Sequence, residues 1–417
     1  MVLIMNRLVV LLLAGIMLVS AVSAEKQIVI GAIIDESGDT TSYAPGIETA
    51  INLAASDLND YYKKVNKTTT VVIKKESSDG TSESAAKAAE NLVSEGAQII
   101  VGPTTSEELS GCLPILSREK ILSINPSSSI KLAIPGDQVI RLCPGDLSLV
   151  NAIASYNTVI TGTIPQKTVV VSRGDLYGLD LSEKVKSITQ VSDTVIYSPR
   201  TRDFTSTLEK LNSSVSSLID TYGEKNVCVF AISIDEISDL LAQASAYPNL
   251  RKIQWSGMDG VALNPTILKN DTAAQFAYDT HLATISFNVA QPEDSNYWKV
   301  YDKIQATTDG HQPCIYEILP YDEVVMAARI LENNASTLED TLKIVDILGN
   351  NMYGATGWLK LDKNGDREHG DYYFYLPQKG ADGTIKWVPC FAYLDGLNTT
   401  IPLIRVNNTL LEKTLAA

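Results

Sequence analysis

Two hydroxyl-rich loops hold the residues best suited to chemistry in this chain. Gly102-Pro103-Thr104-Thr105-Ser106 and Asn125-Pro126-Ser127-Ser128-Ser129 each follow a short apolar run, and Ser106 opens a helical pattern. Strand ends followed by helix N-termini gather unpaired backbone N–H groups, where an anionic group such as a carboxylate can sit. Ser106 can equally cap its own helix, and the three serines can equally form a turn. Tyr43 and Tyr177 each stand before a helix in a strand-to-helix loop, where a ring covers an apolar ligand group or fills a surface between lobes. Asp259 follows a strand ending at Ser256, and its carboxylate is there either a helix cap or the partner of a ligand cation.

Residues for bond-making chemistry are scarce. The chain has 3 histidines, His281, His311 and His369. None stands in HExxH spacing, and neither a GxSxG elbow nor a Walker-type phosphate loop occurs. The pattern favours binding over catalysis, with no cofactor and no metal. Asp362-Lys363-Asn364-Gly365-Asp366 begins like a calcium loop, but Arg367 stands where Gly is needed and Tyr373 where Glu is needed, so a hairpin turn is expected. Cys112, Cys143, Cys228, Cys314 and Cys390 are odd in number and widely spaced. Most read as small buried apolar residues, although export would permit disulfides.

The elements that must position these residues alternate. Gln27 to Ile34 reads as a strand buried on both faces, and Pro45 then opens a helix with Ile47, Ala50, Ile51, Ala54 and Leu58 at helical spacing. Further strands are expected at 71–74, 98–101, 121–124, 168–172, 226–232 and 252–256, with helices between them, which predicts parallel sheets covered by helices. Cys143-Pro144-Gly145 breaks the series before it restarts at Thr168. The fold class is therefore α/β with two Rossmann-like lobes. Strands at 358–362, 372–376 and 385–392 add an antiparallel ribbon. Crossovers are expected at 142–146, 281–286 and 350–354, giving a first lobe of 25–143 plus 284–350 and a second of 144–283 plus 351–417.

Arg7 precedes the apolar run Leu8 to Val22, and Val22-Ser23-Ala24 then offers a signal-peptidase site, so 1–24 reads as a signal peptide; an uncleaved anchor is the alternative, and membrane association is expected only in that case. The chain has 49 acidic against 34 basic side chains, a net charge of −15. Nucleic acid and anionic membrane surfaces are poor partners for such a protein. Sequons at Asn66, Asn212, Asn270, Asn334, Asn398 and Asn407 mark polar surface.

Taken in order, IVIGAIIDESGD with SYAPGIETAINLA, DGTSESAAKAAENLVSEGAQIIVGPTTS, ILSINPSSS, VVVSRGDLYGLDL, GMDG, PYDEVVMAARIL and YGATGWLKLDKNGDR resemble the type I periplasmic binding proteins of branched-chain amino acid ABC transporters. The resemblance covers nearly the whole chain after Ala24 and implies an amino acid clamped between lobes. Ser106 and Ser127 to Ser129 would hold an α-carboxylate, Asp259 an α-ammonium group, and Tyr43 and Tyr177 would flank the ligand. Ser233 stands where the family commonly has an aromatic residue, and Asp259 where leucine-binding members carry Glu. The expected solute is thus a small amino acid or related amide, and the expected partners are ABC permease subunits. A sensor that uses the same pocket to inform a signalling receptor is the alternative.

Overall fold

The computed structural model describes residues 26–161, 167–287, 295–335 and 337–403. Residues 1–25, including the signal-peptide expectation, lie outside them. The first sheet has five parallel strands in the order β2-β1-β3-β4-β5. They are β1 (Lys26–Asp35), β2 (Thr69–Ser78), β3 (Ile99–Val101), β4 (Leu122–Asn125) and β5 (Val139–Arg141). Side chains alternate across this sheet, as the period of two requires. Ile28, Ile30, Ala32 and Ile34 face one core, whereas Ile33 and Ile100 face another built from Ala85, Ala88, Ala89 and Leu109.

Helix α1 (Ala44–Lys64) starts with Pro45, whose fixed φ suits a first turn, and buries Ile47, Ala50, Ile51, Ala54, Leu58 and Tyr62. Helices α2 (Ser82–Ser94) and α3 (Ser106–Glu119) cover the other face. They pack so closely that a Cβ on Gly111 would lie 1.9 Å from the Ser82 carbonyl oxygen.

The chain then enters α4 (Asp146–Thr161) and a second sheet of eight strands, ordered β15-β14-β13-β10-β9-β8-β6-β7. Strands β6 (Lys167–Arg173), β7 (Gln190–Tyr197), β8 (Val227–Ile232), β9 (Gln254–Gly257) and β10 (Ala283–Phe287) run parallel. Strands β13 (Tyr372–Lys379), β14 (Ile385–Leu394) and β15 (Thr399–Pro402) continue it antiparallel. This sheet is covered in part by α5 (Leu176–Val185), α6 (Thr205–Tyr222), α7 (Ile237–Ala244) and, after α8 (Pro265–Lys269), α9 (Asp271–Asp279). Helices α10 (Asn296–Thr307) and α11 (Ile315–Glu332) return to pack on α1, and α12 (Leu338–Asn351) follows.

Three expectations need correction. Ala283–Phe287 pairs within the second sheet, so the second crossing falls after Phe287 rather than at 281–286, and the stretch from 284 does not start in the first lobe. Only Gly357–Trp358 forms a strand in the region expected to be extended over 358–362, pairing with β11 (Tyr353–Gly354) as β12. Asp366 still bridges to Arg141 at the edge of the first sheet, and Tyr372 is the first residue of β13 in the second, so the last crossing comes after Asp366. Among the described residues no helix is long and apolar enough to cross a membrane.

Candidate functional site

A cleft of about 50 Å³ lies between the two sheets' C-terminal loops. That volume suits roughly three to five water-sized groups, so the closed arrangement fits a solute of few heavy atoms. Among the described residues, its lining holds neither lysine nor arginine.

On the first-lobe side the wall is made of Thr104, Thr105, Ser106, Pro126, Ser127 and Ser128. Thr105, rather than Ser106, caps α3. Its hydroxyl accepts from Glu108 N at 3.2 Å, and the Glu108 carboxylate accepts from Thr105 N at 3.3 Å, a reciprocal capping box. The N–H groups of Ser106 and Glu107 in that first turn consequently have no intrahelical acceptor. Ser106 Oγ instead accepts from Ser129 N at 3.2 Å, tying the two hydroxyl loops together. The serine loop is also a turn: Asn125 Oδ1 accepts from Ser127 N at 3.0 Å and from its hydroxyl at 2.7 Å.

The second-lobe side centres on Asp259, in the loop after β9. Its carboxylate accepts from Tyr177 Oη at 2.6 Å, from Gly260 N at 3.1 Å and from Tyr316 Oη. Burial pushes its carboxyl upward, while the tyrosine hydroxyls act against that shift. Burial likewise holds the Tyr43, Tyr177 and Tyr316 phenols well above their ordinary range, so all three remain hydroxyls. Tyr177 stands in the first turn of α5, which Asp175 caps by accepting from Gly178 N at 2.9 Å. A Cβ on Gly178 would lie 2.1 Å from the Arg173 carbonyl oxygen, so glycine lets this turn approach the strand.

Tyr43, at the N-cap position of α1, donates to the Gly260 carbonyl at 3.3 Å and accepts from Asn264 Nδ2 at 3.0 Å. Tyr316, on α11, also reaches across from the first lobe. Other bonds join the two sides. Ser42 N and Oγ donate to Asp235 at 2.8 and 2.5 Å, and Ser129 Oγ donates to Asp180 at 2.6 Å. The buried Arg173 guanidinium holds Asp175 at 2.7 Å and Glu236 at 3.1 Å in its own lobe and Asp39 across the gap.

Six residues singled out from the sequence line this one cleft: Tyr43, Ser106, Ser127, Ser128, Tyr177 and Asp259. Ser129 and Ser233 do not. Ser129 lies behind the wall on Asp180, and the Ser233 hydroxyl accepts from Tyr197 Oη at 2.7 Å while its neighbour Ile234 faces the cleft. Tyr316, Thr40, Thr104, Thr105 and Gly260 also line it and were not singled out. A capping-box spacing, Thr105 to Glu108, was present as the signal for Thr105. Among the described residues no group of three or more His, Cys, Asp or Glu is placed to hold a metal ion. In the segment that begins like a calcium loop, the Asp362 carboxylate accepts from Asn364 N and Asp366 N, and Asp366 pairs with Arg141. All five cysteines are buried and unpaired.

A family model described as the receptor family ligand binding region matches residues 46–378. An uncharacterized protein of Methanocaldococcus jannaschii is 23% identical over 375 residues, covering 84% of this chain and 87% of that one. A branched-chain amino acid transporter substrate-binding protein from Streptococcus pneumoniae, solved with isoleucine, superposes with a TM-score of 0.67 at 17% identity, covering 87% of this chain and 100% of that one. A leucine-binding protein from Thermotoga maritima gives 0.68 at 17%, covering 87% and 97%. A solute-binding protein from R. palustris, solved with benzoate, gives 0.67 at 14%, covering 87% and 96%. The fold is the two-lobed type I periplasmic binding protein fold.

Proposed function

Because the chain belongs to the receptor family of ligand binding regions, we propose that it is an exported solute-binding protein, cut near Ala24, that captures a small amino acid or related amide between its lobes and delivers it to an ABC importer. One observation carries this reading. A cleft of few-atom size is walled on one side by hydroxyls and a helix N-terminus, and on the other by a buried carboxylate. Such walls suit a solute with a carboxylate or carbonyl at one end and an amine at the other, since a polar group leaves water only where partners replace its hydration. Polar bonds drawn from both lobes make closure depend on the solute. The role is capture without chemistry. Structural neighbours described as ABC transporter substrate-binding proteins support it.

The test is the thermal midpoint of residues 25–417 against amino acids, amides and short-chain acids. Solute at 100 times its Kd stabilises the fold by about 2.7 kcal/mol. A rise confined to one chemical class supports the reading, and no rise with any amino acid or amide contradicts the ligand class. The matching family is described by its receptors, which favours a second reading: the same cleft reporting to a signalling receptor instead of a permease.

A further inference from the structure

Asp146, at the start of α4, is fully buried, and no well-formed hydrogen bond reaches either carboxylate oxygen, the Ser128 hydroxyl being the one donor close by. The Ser128 loop pins its backbone, with Asp146 N donating to Ser128 O at 3.1 Å, so this carboxyl sits directly behind a residue of the cleft wall. Its surroundings do not compensate it. Asp259 and Asp180 act on it with like charge, and the Ser128 hydroxyl and the Arg141 guanidinium oppose them. Arg141 is already taken by Asp366 at 2.5 Å and by the Ser129 carbonyl. Lys131, on the far side of Asp180, is 3.7 Å from that carboxylate and half exposed. Cys143, Tyr177 and Tyr372 complete the ring of groups within electrostatic reach, and none is a cation.

A second observation comes from the opposite wall. Tyr43, Tyr177 and Tyr316 line the cleft together, and two of them give their hydroxyl protons to Asp259. The Tyr43 and Tyr177 oxygens already accept from Asn264 Nδ2 and Gly260 N, so the three phenols bring no cation to the cleft and two of them hold the Asp259 carboxylate in place. Asp259 in the lining, Asp146 behind the Ser128 wall and the lack of lysine or arginine in the lining leave a negative field that no cation of the lining offsets.

We infer that Asp146 and Asp259 make this a site for a small solute of net positive charge, a short amine such as an amino amide, with its amide carbonyl on the serine and threonine wall and its ammonium on Asp259. This rests on the reading of the cleft as the solute site and names the solute's charge. In the empty cleft burial and Asp259 push the Asp146 carboxyl up to about 7, so near neutral pH it is protonated in part. An ammonium arriving on Asp259 replaces repulsion with attraction, lowers that affinity for the proton, and so releases it to solvent. Binding near pH 7 therefore sheds a fraction of a proton and tightens as pH rises. Asp146 is a positioning residue, acting through Ser128 and Asp259.

The experiment is isothermal titration of residues 25–417, and of Asp146→Asn, with glycinamide, glycine, acetamide and acetate, in two buffers of different ionisation enthalpy at pH 7. Expected is a preference for glycinamide of at least tenfold over the other three, with proton release that the Asn variant loses along with at least tenfold in affinity. If glycine or acetamide binds best, or if glycinamide binds without proton release, the inference is overturned while solute capture stands. If none of the four binds but another amino acid or amide raises the thermal midpoint, the inference falls and solute capture stands; if none of that wider panel does so either, both readings fall. Should Asp146→Asn not fold, the ranking and the proton count in the wild-type protein decide alone.

Discussion

At the residue scale, Asp259 is a carboxylate held by three protein donors before any solute arrives. It is therefore oriented in advance, so little ordering is left to the moment of binding. Asp259→Ala is expected to weaken binding by roughly 2 to 5 kcal/mol, the range for losing one partner of a buried charge pair, as titration of a bound solute would measure. Unchanged affinity would place the solute elsewhere. Tyr316→Phe is expected to cost less, about 1 to 3 kcal/mol, since it removes one hydrogen bond to a charged acceptor. The hydroxyl wall of this candidate site was legible in the sequence because its loops carry distinctive hydroxyl clusters at strand ends. Tyr316 was not, because it lies on a helix more than 50 residues beyond Asp259, and only the packing of α11 on α1 brings its hydroxyl to the cleft. Asp146 escaped for the opposite reason. A first-turn aspartate reads as an ordinary helix start, and its lack of a partner is a tertiary fact.

At the scale of elements, the cleft depends on α3 ending its first turn in the right place. Thr105→Ala is expected to destabilise the protein by about 1 kcal/mol, the usual worth of a cap, measured as a shift in the urea midpoint at constant slope. Gly111→Ala should cost more, about 1 to 3 kcal/mol, because the added methyl meets the Ser82 backbone and α2 and α3 must part. The buried central strands announced themselves as continuous apolar runs. Strand β7 did not, because it is an edge strand whose Gln190, Ser192, Asp193 and Ile196 are exposed, diluting the apolar signal. Strand β3 is Ile-Ile-Val and was read despite its 3 residues, whereas β5 ends in Arg141 and β10 alternates apolar and hydroxyl side chains, which weakens the apolar-run signal. The tail ribbon was read correctly in kind, but the expected strand at 358–362 is mostly a turn region organised by Asp362 and by the pairing of Asp366 with Arg141.

At the scale of the whole molecule, the closed arrangement is held by polar bonds between lobes, above all Arg173 with Asp39 and Ser42 with Asp235. Asp39→Asn combined with Asp235→Asn is expected to shift the solute-free protein toward an open form, seen as a larger radius of gyration by small-angle scattering; an unchanged radius would deny these bonds that role. Buried acids also set a pH dependence. Burial pushes Glu108 and Asp146 up to about 7 and Asp137 up to about 6. An acid whose folded value is raised binds its proton more tightly in the native state, so its stabilising effect is full below the unfolded value near 4 and is lost as pH rises through the folded value. Stability should fall between about pH 4 and 7, by up to about 1.4 kcal/mol per pH unit for each such group, and Glu108→Gln should flatten the slope in urea titrations.

The central claim is that a small solute binds between the lobes on Asp259. It is tested most directly by the thermal midpoint of wild-type protein and of Asp259→Ala, each with and without a saturating panel solute. The account predicts a rise in the wild type, equivalent to about 2.7 kcal/mol at 100 times Kd, that the variant loses at the same solute concentration. An equal rise in both proteins would contradict it.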